Sequence, residues 1–77
     1  MDKIAKTRRS IDKIDSKLSK LLSLREENIK TLKQLKNNQK LPIRNKSREK
    51  NILEKLDNEY QRNIFKKIIS ESRKIQQ

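Results

Sequence analysis

The sequence predicts an all-α chain of three helices, the first of them long, with a second copy of the chain completing its core. Three observations carry this. Apolar residues recur at helical spacing through most of the chain, and no stretch alternates with period two. There is no Gly, and the single Pro, Pro42, falls past the middle, so nothing interrupts the first half. That first half is also too long for a globule of 77 residues, because roughly 35 helical residues span about 50 Å.

Helix one is expected from about Lys3 to Asn37, with Asp2 as its N-cap. Ile4, Ile11, Leu18 and Leu32 share one heptad position, and Ile14, Leu21 and Leu35 share another, with Leu22 beside them. Such a 3.5-residue seam packs along another helix. Two polar residues interrupt it: Arg25 at the position of Leu18 and Leu32, and Asn28 at that of Leu21 and Leu35. An Arg on a buried face is costly unless something meets it. Two readings stand at this point: a snorkelling or register-setting residue, or a cation waiting for an anionic ligand. Lys36 lies three turns on, on nearly the same face. Arg8 lies seventeen residues before Arg25, roughly 25 Å away along the axis. One small ligand cannot touch both on one helix, so an Arg8 that serves a ligand must serve the site of the neighbouring protomer.

Asn37 to Lys40 breaks the pattern, and Pro42 forbids a helix running through Leu41. A loop from Asn38 to about Lys46 is anchored by Ile43, with Asn45 or Ser47 as the next N-cap. Helix two runs from about Ser47 to Asn58, with Ile52, Leu53 and Leu56 inward. In its first turn Glu49 suits the helix dipole, whereas the Arg48 cation does not. Helix three runs from about Tyr60 to Ile75 on a stripe of Ile64, Phe65, Ile68 and Ile69 that ends in Ser72, Ile75 and Gln76. Polar residues there fit either a fraying terminus or a site.

Composition then excludes whole classes. The chain makes a single domain, residues 1–77, short enough to need a partner for its core. With no Cys and no His there is no disulfide, no Cys/His metal site, no thiolate nucleophile and no imidazole base. No apolar run exceeds two residues, so no membrane span is expected, and Met1 to Ser10 lacks the apolar core of a secretory signal. A cytoplasmic location is the default. The 42 % of charged residues approaches disordered compositions, but the periodicity opposes disorder. A net charge of +12 is the usual mark of nucleic-acid binding. Here the Lys residues are spread along the whole chain, mostly opposite the apolar stripes, and no aromatic stacking platform accompanies them, so no nucleic-acid partner is expected. The same charge attracts small anions.

Read together, RRSIDKIDSKLSKLLSLR (Arg8 to Arg25), LKQLK ending at Lys36, LPIRNKSREKNILEKL (Leu41 to Leu56) and IFKKIISESRKIQ (Ile64 to Gln76) resemble the all-helical (type II) chorismate mutase family over almost the entire chain. The Ile-Asp-x-Ile-Asp opening, the Pro-Ile before Arg-Glu-Lys and the Ser-x-x-x-Gln ending stand in the right order. The resemblance implies a homodimer with intertwined first helices, in which each site takes one Arg from the other chain. It implies conversion of chorismate to prephenate by a pericyclic rearrangement, in aromatic amino-acid biosynthesis, with no cofactor and no metal. No proton is transferred and no covalent bond to the enzyme forms, which suits a chain without His or Cys. The enzyme need only hold a dianion in its reactive conformer and stabilise charge on the breaking ether oxygen.

By the same resemblance, Arg25 and the partner's Arg8 grip carboxylates, Lys36 contacts a carboxylate and the ether oxygen, and Gln76 is the second donor to that oxygen. Glu49 accepts from the ring hydroxyl, and Ser72 and Arg48 line the site. Asn45 stands where many members carry an Asp that helps with the hydroxyl, and the segment between Leu56 and Ile64 is shorter than in many. Gln76 is also next to the last residue, where fraying would weaken its contact. Two other readings remain: a relative that eliminates pyruvate from isochorismate, and a non-catalytic module that binds a metabolite or another helix.

Overall fold

A computed structural model describes residues 2–77. It has three helices: α1 (Asp2–Gln39), α2 (Lys46–Glu54) and α3 (Glu59–Gln76). Among the described residues there is no strand. The molecule measures 56 × 23 × 16 Å, and the long axis is α1 itself, since 38 residues of helix extend about 57 Å. α3 packs against both α1 and α2.

α1 begins earlier than expected. Asp2 is already helical rather than capping, and sits in the first turn, where its charge suits the dipole. Asn28, one of the two polar residues in the seam, is exposed and bonds back to Leu24 O at 2.9 Å. At the other end α1 runs to Gln39 and closes in a Schellman turn: Leu41 N–H donates to Lys36 O at 2.9 Å and Lys40 N–H to Asn37 O at 3.2 Å. The turn needs a left-handed residue, and with no Gly in the chain Lys40 takes it, at φ 56°.

Of the two candidate caps for α2, Asn45 is the one used; its side chain accepts from Arg48 N–H at 3.1 Å. α2 stops at Glu54, four residues short of the expected Asn58. Lys55 and Leu56 bond back three residues, to Ile52 O and Leu53 O, in a tight closing turn. Asn58 is instead the N-cap of α3, accepting from Gln61 N–H at 2.9 Å, while Gln61 Oε1 accepts from Asp57 N–H at 3.1 Å. Asn58 thus caps the helix while Gln61 reaches back past it to the residue before the cap, so the chain turns between the helices without Gly or Pro.

Very little is buried. Ile69 is the only buried apolar residue among those described, and even it keeps 7 % exposure. Ile52, Leu53, Leu56, Phe65, Ile68 and Ile75 are half-covered around it. The seam of α1 lies open: Ile4 is 61 % exposed, Ile14 62 % and Leu21 62 %, with Ile11, Leu18 and Leu35 also exposed.

Candidate active site

α3 presents Ile69, Ser72 and Gln76 on one face, at spacings of three and four. They are the three buried residues among those described, and two of them are polar. α1 faces them with Arg25, Ile29, Leu32 and Lys36, again at helical spacing. The loop and α2 add Ile43, Asn45, Arg48, Glu49 and Ile52, and α3 adds Arg73. Together these line a cavity of about 80 Å³. Seven of the expected residues, Arg25, Lys36, Asn45, Arg48, Glu49, Ser72 and Gln76, therefore stand around one space. Arg8 does not. It is exposed on the N-terminal half of α1, roughly 25 Å from Arg25 along the helix.

Every buried polar group here has a partner. The Ser72 hydroxyl accepts from the Arg25 guanidinium and donates to Ile68 O at 2.7 Å. Gln76 Oε1 accepts from Lys36 Nζ at 2.9 Å, and Nε2 donates to Ser72 O at 3.3 Å. The end of α3 is held to α1 by these two contacts and by Lys33 Nζ, 3.5 Å from Gln77 O. Lys36 Nζ also donates to Ile43 O at 2.6 Å, tying the loop to the same spot. An ammonium has three protons; two are engaged within the chain, by Ile43 O and Gln76 Oε1.

Glu49 bridges elements. Arg73 Nη1 donates to both of its oxygens, at 3.0 and 3.2 Å, and Arg44 Nε lies 3.4 Å from Oε1. Neither arginine was legible as part of the site. Arg73 follows Ser72, about 100° round the helix, so it falls off the stripe facing α1 and is recruited only because α2 lies there. Nor has the Ile43 carbonyl a sequence signature. Ile29 did have one: it sits four residues after Arg25 and seven before Lys36, on their face.

The cavity lining carries four cations, Arg25, Lys36, Arg48 and Arg73, against one carboxylate. Arg25 meets a hydroxyl but no acid. Its pKa is pushed down, chiefly by burial and then by the charge of Arg48. Such an uncompensated cation is stabilised when an anion enters. The chemistry on offer is binding and electrostatic stabilisation. The Ser72 hydroxyl has Arg25 and a carbonyl as partners, neither of which is a base that would activate it.

A second, larger depression of about 880 Å³ runs between α1 and α3, floored by Leu18, Leu22, Ile29, Ile64, Ile68 and Ile75 and bordered by polar and charged residues, among them Asp15, Glu26, Lys67 and Glu71. Arg25 and Ser72 line it as well as the cavity.

Residues 7–77 match the chorismate mutase type II family, and the chain belongs to that family. The family is all-helical and its defining activity is the isomerisation of chorismate. No match was found among curated proteins, and none among solved structures.

Proposed function

We propose that the protein converts chorismate to prephenate, as a step in aromatic amino-acid biosynthesis, by holding the substrate in its folded, reactive conformer. The observation that carries this is the Lys36–Gln76 pair, 2.9 Å apart, in a cavity that also presents Arg25 and Arg48. Two carboxylates are met by guanidinium groups, which bind them bidentately and keep their charge. Lys36 and Gln76 flank the ether oxygen. Negative charge grows on that oxygen as the bond breaks, so donors aimed at it act most strongly in the transition state. Glu49 accepts from the ring hydroxyl, beside Asn45.

A cavity of about 80 Å³ is smaller than the roughly 300 Å³ at which small-molecule pockets begin. Substrate entry therefore separates the Arg25–Ser72 and Lys36–Gln76 contacts, and the ligand's oxygens take over the freed donors.

The working form is a homodimer. The exposed apolar seam of α1 and the apolar groove between α1 and α3 both support it. Because Arg25 and Ser72 line that groove, a partner α1 lying along it passes beside the cavity, where its Arg8 adds the last cation.

A chorismate disappearance assay tests this. Replacing Lys36 or Arg25 with Ala is expected to lower kcat on the order of 100- to 1,000-fold, the loss of a preorganised donor at a charge-developing site. Either variant turning over at near the parent rate contradicts the assignment. Offering isochorismate in parallel separates this activity from pyruvate elimination.

A further inference from the structure

We infer that Arg73 is a positioning residue: it holds the Glu49 carboxylate on the cavity side of α2, against an outward pull from other cations. The inference rests on Glu49 serving as the hydroxyl acceptor proposed above. Glu49 stands at a boundary. It lines the inner cavity, and it also lines a groove on the outer face of α2 beside Arg44, Lys46, Lys50 and Arg62. The cations on that side outnumber its other carboxylate, Glu54, which lies 3.8 Å from Lys50, and Arg44 already lies 3.4 Å from one Glu49 oxygen. Arg73 lines the cavity alone. It contacts both oxygens, at 3.0 and 3.2 Å, from a side chain 30 % exposed, whereas that of Arg44 is 54 % exposed. The better-shielded contact is the stronger one, because solvent screens an exposed pair. Arg73 is also carried by the 18-residue α3, the helix that bears Ser72 and Gln76. It thus sets Glu49 in the same frame as those two residues.

The test is a double-mutant cycle on kcat/KM for chorismate with Arg73→Met, Glu49→Gln and the pair, each shown to be folded by urea denaturation. Loss of Arg73 should lower kcat/KM about 10- to 100-fold, the scale of a misplaced substrate-positioning group. Added to Glu49→Gln it should lower it no further than about threefold, since the two act as one unit. Arg73→Lys should recover part of the loss. An unchanged rate in Arg73→Met, or losses that multiply in the double variant, overturns the inference; multiplied losses would mean that Arg73 meets the substrate by itself. The arginine side-chain ¹⁵N spectrum gives a readout without turnover. The Arg73 signal should shift on Glu49→Gln, and its failure to move also overturns the inference. A parent protein that leaves chorismate untouched while this signal responds would sink the proposed activity and leave the pairing standing.

Discussion

Arg25 is a cation set in a partly buried place with no acid to meet it. Its guanidinium is half-buried, bonded to the Ser72 hydroxyl and close enough to Arg48 to feel its charge. The folded-state pKa lies below the unfolded value, so the charged form is less favoured in the folded chain, and the penalty is present at every pH below the folded pKa. For an arginine that range covers all ordinary conditions, and only a bound anion removes the penalty. Arg25→Met is accordingly expected to leave the ligand-free protein about as stable as the parent, because solvent screens a guanidinium that is only partly buried, while activity is lost. Urea denaturation measures this, and a loss above roughly 1 kcal/mol would show that the cation supports the fold after all. Periodicity singled out Arg25 as a polar residue in an apolar face, and it singled out Ser72 and Gln76 in the same way. It could not choose between site and frayed end for the last two, because the choice depends on Lys36 reaching across from another helix. Arg48 was visible as a cation at the wrong end of a dipole; it is found on the cavity wall.

At the scale of elements, the two connections do more than join helices. The turn after α1 uses the Lys36 carbonyl as its acceptor while the Lys36 ammonium holds Ile43 O, so one residue fixes both ends of the loop that delivers Asn45 to α2. Lys40 adopts a positive φ there, a conformation that costs a residue bearing a Cβ roughly 1 kcal/mol. Lys40→Gly is expected to raise stability by up to about 1 kcal/mol; thermal or urea unfolding checks it, and a destabilised variant would contradict the turn geometry. Helix existence and order were legible because periodicity and Pro42 mark them. The end of α2 was not. Leu56 continues the apolar spacing of Ile52 and Leu53, and the Asn58 cap, with Gln61 holding Asp57 N–H, competes for the same stretch and wins. Expecting Ser47 as a cap was as reasonable as expecting Asn45. Only the backbone decides which oxygen faces the open N–H groups.

For the whole molecule, the imbalance between length and core is the dominant fact. A single chain of 77 residues has one buried apolar residue among those described and a row of exposed Ile and Leu along a 38-residue helix. Too little apolar area leaves water to offset the entropy of ordering such a chain. The overlong first helix made a second chain the natural expectation from sequence alone. The proposed two-chain site rests on the same length, since Arg8 lies too far along α1 to reach the cavity of its own chain. The most direct measurement mixes two inactive proteins, Arg8→Ala and Lys36→Ala, by co-refolding, and follows chorismate turnover. In a mixed dimer one of the two sites combines an intact Lys36 with the other chain's Arg8. Random pairing should therefore restore about a quarter of the parent activity, as two-fold symmetry requires. Recovery near that level places residues from two chains in one site; no recovery from a mixture shown to contain the mixed dimer would contradict it.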